Sequence, residues 1–239
     1  MEPIYTQNFT IEHMHTDCFG RTKPSVLLYF IQEAAGKHCR LLEVDREVLD
    51  AKHLFWAVSR SRVQITRLPC LGETIRVETW PMPTTRVAYP RSVVAFDQTG
   101  NELFRSISLW VLMDSRTRAM VLPGKSGVLV EGTLTGTELS VPHAIATCPM
   151  EGFVNYTVGY SLLDQNGHMN NTRYLDWVTD LLPSDFHETH TIREFTLCYM
   201  NEAREGEEIS VGYTLSDGPT LTVDAQRQGE RIFSAQVLF

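Results

Sequence analysis

Asp164, Asn166 and His168 occupy alternate positions in the stretch Asp164-Gln165-Asn166-Gly167-His168-Met169-Asn170-Asn171. Side chains two apart in extended backbone point to one side, so an acid, an amide and an imidazole would converge. The next residues, TRYLDWVTDLLP, place Tyr174, Val178 and Leu181 at helical spacing, with Asn170 or Asn171 as the expected N-cap. The three polar groups would then stand where unpaired backbone N–H groups and the helix dipole favour developing negative charge. Hydrolysis of an acyl compound needs such a place. Each residue also has a structural reading: Asp164 as a turn or cap residue, Asn166 as a turn former, His168 as a partly buried polar group.

The elements that must position these residues come in two similar copies. Asp17-Cys18-Phe19-Gly20 and the helical pattern PSVLLYFIQEAAGKHCRLL match Asp164-Gln165-Asn166-Gly167 and TRYLDWVTDLLP at an offset of 147. Further on, Gly72-Glu73-Thr74-Ile75 matches Gly206-Glu207-Glu208-Ile209, and Gly100-Asn101-Glu102-Leu103-Phe104 matches Gly229-Glu230-Arg231-Ile232-Phe233. The offset falls where the first copy has an extra segment near EVDREVLDAKHLF, an insertion that loops tolerate. In the first copy Pro24 suits a helix start, and Leu27, Ile31, Ala34 or Ala35, and His38 follow on one face. Each copy continues into alternating apolar and polar runs separated by turn signals, the pattern of antiparallel strands. A helix buries its apolar stripe against one face of such a sheet. The expected fold class is therefore α+β, a tandem (double) hotdog with a long central helix wrapped by an antiparallel sheet in each copy. Residues 1–122 form one domain, residues 123–149, rich in Gly, Thr and Ser, the linker, and residues 150–239 the second domain. Arg21 stands where the second copy has His168, so one reaction centre per chain is implied.

A hydrophobic fraction of 43% with 21% charged residues describes an ordinary globular chain rather than a disordered one. No apolar run approaches the roughly 20 residues of a membrane-spanning helix. The polar start MEPIYTQNFTIEHMH lacks the pattern of a signal peptide, so the expectation is a cytoplasmic protein. Five scattered cysteines without a CxxC pair suggest neither a zinc cluster nor a disulfide framework. No organic cofactor is indicated, and the pairs His13/His15 and His187/His190 complete no metal-ligand pattern. Net charge is −8, yet residues 1–125 hold 16 Lys and Arg against 13 Asp and Glu, whereas residues 126–239 hold 5 against 16. The arginines are spread along strands without a basic, aromatic-interleaved cluster, which argues against nucleic acid.

The run DQNGHMNNTRYLDW resembles the Asp-x-Asn-x-His-x-Asn-Asn-x-x-Tyr segment of the acyl-ACP thioesterase family, plant and bacterial enzymes that release fatty acids from acyl carrier protein. VSRSRVQITRLPCLGETIRVETW is similar to the family's first-domain pattern, and LCYMNEAREG to its Leu-Glu-Tyr-x-x-Glu-Cys segment. The resemblance covers nearly the whole chain. It implies catalytic roles for Asp164, Asn166 and His168, and adds Glu202 as the catalytic Glu. Ala203 stands where many plant members have Cys, which disfavours a cysteine-based acyl-enzyme, and Cys198 stands where they have Glu.

Without such a Cys, the chemistry would run through carboxylates and water. Backbone N–H groups near Gly167 and the Asn166 amide would stabilise the oxyanion, and His168 with Glu202 would deprotonate the water. Asp164 would either hold Asn166 and polarise the water or attack the carbonyl itself. Tyr174 and Trp177 are expected in the core. The aromatic-rich first half is expected to hold the acyl chain, its length unspecified. The acidic carrier would dock on the more basic first half, with Arg60, Arg62, Arg67, Arg86 and Arg91 as candidate contacts. Two units already supply the pairing that single-hotdog proteins obtain by dimerising, so a monomer suffices; a homodimer is the alternative. Rival readings are an acyl-CoA thioesterase, a hotdog hydratase or dehydratase, and a non-catalytic acyl-binding module.

Overall fold

The strand periodicity and turn signals translate directly into antiparallel strands. A computed structural model describes residues 3–239. The chain divides at Pro142/His143 into two compact units, with Pro24–Val26 grouped with the second. The first contains β1 (Tyr5–Thr10), α1 (Pro24–Leu41), α2 (Arg46–Asp50), β2 (Leu54–Ile65), β3 (Thr74–Pro81), β4 (Tyr89–Phe96), β5 (Glu102–Asp114), β6 (Met120–Val121) and α3 (Pro123–Ser126). The second contains β7 (Gly152–Thr157), α4 (Arg173–Thr179), α5 (Ser184–Thr189), β8 (Glu194–Tyr199), β9 (Glu208–Ser216), β10 (Thr220–Arg227) and β11 (Glu230–Leu238). Strand order is β1-β3-β4-β5-β2 in the first, with β6 beside β5, and β7-β9-β10-β11-β8 in the second. The two orders correspond strand for strand, as expected of a duplicated plan.

In the first unit α1 begins with Pro24 at its first turn, where the missing N–H costs nothing. Its stripe Leu27, Ile31, Ala34 and His38 is buried as the spacing predicts. Phe30 packs on Phe9 of β1, with ring centroids 4.6 Å apart. The second unit departs from the expectation of a long helix. Its α4 spans seven residues, and Pro183 precedes a separate α5. Pro183 lacks an N–H and disfavours helical backbone at the residue before it. Thr179 Oγ1 also bonds back to the carbonyls of Leu175 and Asp176 (3.1 and 2.9 Å), which competes with continuing the helix. Even so, Tyr174 and Trp177 are buried as predicted. Tyr174 packs on Phe233 of β11 at 4.7 Å, and Trp177 stacks on Tyr156 of β7 at 4.8 Å.

Residues 123–142 lie along the first unit. Val128 joins the cluster of Val44, Leu49, Leu54, Tyr89 and Leu112. Arg60 donates to Pro142 O (3.2 Å), Arg62 to Ser140 Oγ (2.9 Å) and Arg105 to Thr137 O (2.6 Å). Gly132 approaches so closely that an added Cβ would stand 2.2 Å from the Met82 carbonyl carbon.

These contacts correct the expected docking set. Arg91 is buried, donates to Thr79 Oγ1 at 3.1 Å, and lies 3.2 Å from His38 Nδ1 and 3.6 Å from Cys39 Sγ. Burial pushes its guanidinium pKa down and the Cys39 thiol up. Strand alternation put Arg91 on the helix-facing side, so it cannot meet a partner. Arg67 is engaged by Glu73 at 2.8 Å, while Arg86 is exposed.

Trp80 Nε1 donates to Glu138 Oε1 at 3.2 Å, tying this segment to β3. Partial burial would raise the Glu138 carboxyl, but the backbone N–H groups of Thr135 and of Glu138 itself, with the Thr135 hydroxyl and Trp80, outweigh it and hold it at about 2. The folded pKa lies below the ordinary 4.5. The resulting stability is therefore present above that value and lost as pH falls towards 2. Discounted for solvent screening, this amounts to about 1 kcal/mol. Thermal melts of wild type and Glu138→Gln from pH 6 to pH 2 should converge at the acid end and separate above pH 4.5. Equal separation at every pH would contradict this assignment.

Candidate active site

The candidate residues begin on a tight turn rather than on extended backbone. Asp164 N–H donates to His168 O (2.8 Å) and Gly167 N–H to Asp164 O (3.1 Å). The Asp164 carboxylate closes the turn from inside. Its Oδ1 accepts the N–H of Asn166 (2.7 Å) and that of His168 (3.3 Å), and its Oδ2 accepts Asn166 Nδ2 (3.3 Å). Gly167 has φ +74, a left-handed conformation that glycine adopts without a Cβ penalty. Asp17 builds the same turn, taking the N–H groups of Phe19 and Arg21 (both 2.9 Å), with Gly20 also at φ +74. A third version closes the β4–β5 hairpin, where Asp97 takes Thr99 N–H (2.8 Å) and Asn101 N–H (2.9 Å).

His168 is brought to Glu202 by main-chain pairing of two loops. Met169 N–H donates to Ala203 O (2.8 Å), and His168 and Arg204 form an isolated antiparallel bridge. The first unit pairs Arg21 with Cys70 in the same way. The pairing sets His168 Nε2 3.3 Å from Glu202 Oε2. The imidazole is mostly covered, at 12% side-chain exposure, while the carboxylate is 41% exposed. A shielded base beside an acid open to solvent can orient and deprotonate a water. Asn166 is exposed on the same turn. An amide carries two N–H bonds, so one can bind Asp164 while the other faces outward.

Asp164, Asn166, His168 and Glu202 thus form one connected group, joined by hydrogen bonds and the His168–Glu202 contact. The expected backbone donors differ. Gly167 N–H is spent inside the turn, so it does not serve as an oxyanion donor. At the helix start the N-cap is Thr172, not Asn170 or Asn171. Asn170 nonetheless caps this entry, its Oδ1 accepting Thr172 N–H at 3.0 Å and its carbonyl accepting Arg173 N–H at 2.9 Å. Asn171 O accepts the Tyr199 hydroxyl (3.0 Å). Cys198 is a buried residue of β8, its thiol directed to His143 O at 3.8 Å. Ala203 is fully buried.

Residues beyond the sequence expectation also touch this loop. Arg227 Nη1 donates to Glu202 O (3.1 Å) and to Glu207 Oε2 (2.5 Å). The turn signal Gln228-Gly229 placed Arg227 at a hairpin end, but nothing in the sequence linked that end to Glu202. Among the described residues, no group of three His, Cys, Asp or Glu side chains gathers into a metal site, and no helix is long and apolar enough to cross a membrane.

Two units whose antiparallel strands follow matching orders, each packing a helix against its strands, and one His–Glu contact in the second unit describe a double-hotdog protein. Comparison with known proteins narrows this. The model of the acyl-ACP thioesterase N-terminal domain matches residues 2–122, and that of the C-terminal domain matches residues 150–238. The chain belongs to the acyl-ACP thioesterase family. It is 27% identical over 237 residues to a chloroplastic palmitoyl-acyl carrier protein thioesterase of Gossypium hirsutum, covering 91% of this chain and 56% of that protein. The chain thus spans little more than half the length of that curated relative. The crystal structure of an acyl-ACP thioesterase from Bacteroides thetaiotaomicron superposes with a TM-score of 0.89 at 26% identity, covering 99% of this chain and 98% of the other. A 12:0-ACP thioesterase from Umbellularia californica shares the fold, with a TM-score of 0.85 at 24% identity, over 100% of this chain and 97% of its own.

The repeated turn yields a paired test. Asp17→Ala and Asp164→Ala each remove a carboxylate that accepts two backbone N–H groups, and each should lower stability by about 1 kcal/mol. Melting curves should show comparable losses, whereas the position of His168 should shift only in Asp164→Ala, read from its imidazole NMR signals. Unchanged His168 signals in Asp164→Ala would count against the turn as the device that positions the ring.

Proposed function

We propose that this protein hydrolyses the thioester of fatty acyl-acyl carrier protein, releasing free fatty acid and so ending fatty acid synthesis. The observation that carries the reading is the 3.3 Å approach of His168 Nε2 to Glu202 Oε2 beside Asn166, in the part of the chain matched by the family's C-terminal domain. A water bound beside the imidazole–carboxylate pair attacks the carbonyl carbon, and its proton passes to the His168–Glu202 pair. The outward N–H of Asn166 stabilises the oxyanion. Collapse of the tetrahedral intermediate breaks the C–S bond, and the thiolate leaves with the proton returned by the pair.

Asp164 acts here as the holder of Asn166 and His168. Its oxygens already accept three hydrogen bonds, which disfavours attack by its carboxylate on the substrate. Residues 150–239 carry the reacting groups, residues 1–122 take the acyl chain, and residues 123–149 connect them. Five free cysteines, none in a disulfide, suit a reducing compartment such as the cytoplasm.

Thiol release from a series of acyl-ACP substrates tests the reaction. His168→Ala and Glu202→Gln should each lower turnover about 10²-fold or more, as loss of general acid–base catalysis does. Asn166→Ala should lower it about 10² to 10³-fold, as for an oxyanion donor. Wild-type thiol release at background, with acyl binding intact, would instead identify a binding module.

A further inference from the structure

We infer that Arg227 is a positioning residue for Glu202, acting on its main chain, with Glu207 as the anchor; the inference rests on the hydrolytic reading above. The β10–β11 hairpin turns at Gln228 and Gly229, both at positive φ (52 and 85). A two-residue turn of this kind matches the twist of the flanking strands and holds their ends rigidly. Arg227 and Glu230 face each other across it, and their side chains pair. From there Arg227 Nη1 reaches Glu202 O at 3.1 Å and Glu207 Oε2 at 2.5 Å.

Glu207 closes the loop from the other side, its Oε2 also accepting Arg204 N–H at 2.9 Å. Partial burial would raise the Glu207 carboxyl, but the Arg204 N–H and the Arg227 guanidinium outweigh this and leave it below its ordinary value. Glu207 is therefore held as an anion that fixes Arg227. Further bonds pin the loop ends, with Asn201 N–H on Ile232 O (3.1 Å) and Gly206 N–H on Val158 O (2.9 Å). Between those pins the Glu202 carbonyl is gripped by Arg227.

The Glu202 carboxylate is 41% exposed, so packing does little to hold it. Its reach to His168 depends on where the main chain carries it. Surface ion pairs such as Arg227–Glu230 contribute little to stability. A solvent-open groove of about 540 Å³ lies against Arg227 and Glu207, so the guanidinium is not a core element. Loss of the grip should therefore be felt in turnover rather than in folding.

The experiment compares Arg227→Gln, Arg227→Lys, Glu207→Gln, Glu202→Gln and the Arg227→Gln/Glu202→Gln double variant in thiol release from acyl-ACP, with thermal melts alongside. Arg227→Gln should lower kcat about tenfold or more, as a small misplacement of a reacting group does, with KM within about twofold. Glu207→Gln should act in the same direction. Arg227→Lys should recover most of kcat, because an ammonium can still donate to both oxygens. In the Glu202→Gln background Arg227→Gln should have no further effect on kcat, since the two changes share one path. An unchanged kcat in Arg227→Gln while Glu202→Gln is crippled would overturn the positioning role alone, as would fully additive losses in the double variant. Full activity of Glu202→Gln would overturn the catalytic reading of Glu202 and this inference with it.

Discussion

The short main-chain pairing between the loop at His168–Met169 and the loop at Ala203–Arg204 is the interaction on which the site depends. Both partners are irregular segments, and neither alone would hold a reactive side chain in register. Their pairing converts two loops into a two-stranded clip. The geometry of a β-bridge then dictates where the ring of His168 and the carboxylate of Glu202 project. A buried backbone group left unpaired would cost more than the pairing supplies, so the clip is strongly preferred once the sheet has formed around it.

The same clip exists in the first unit without the His–Glu pair. Asp17 closes the turn, Gly20 takes the left-handed position, and Arg21 bridges Cys70. Arg21 there turns back to Asp17, at 3.1 Å, and so neutralises its own turn. In the second unit the main chain of His168 stays bonded to Asp164, while its side chain faces Glu202. One structural device is used twice, and in the second unit it brings a histidine to a glutamate. This also separates two roles within the motif. Asp164 shapes the loop, whereas Asn166, His168 and Glu202 supply the side chains of the proposed reaction centre.

Much of the fold was legible because duplication repeats the same physical signals. Pro24 and the stripe from Leu27 to His38 gave α1, and the paired turn signals gave strands whose order recurs in both units. The second helix was overestimated because apolar spacing continues through Leu181, while Pro183 and the back-bonding of Thr179 end it earlier. Arg91 was misread because strand alternation fixes which residues share a face, but not which face is covered.

The sequence by itself displayed the duplicated plan, because turn signals and strand alternation follow from local spacing; its resemblance to the acyl-ACP thioesterase family, to which the chain belongs, implied Asp164, Asn166, His168 and Glu202 as the candidate site. It could not determine that residues 164–168 fold back into a carboxylate-closed turn, which depends on hydrogen bonds rather than on alternation. Nor could it join Glu202 to His168, or Arg227 to both Glu202 and Glu207. Those contacts arise between segments far apart in the chain, and only the packing of strands and loops in three dimensions brings their donors and acceptors within reach.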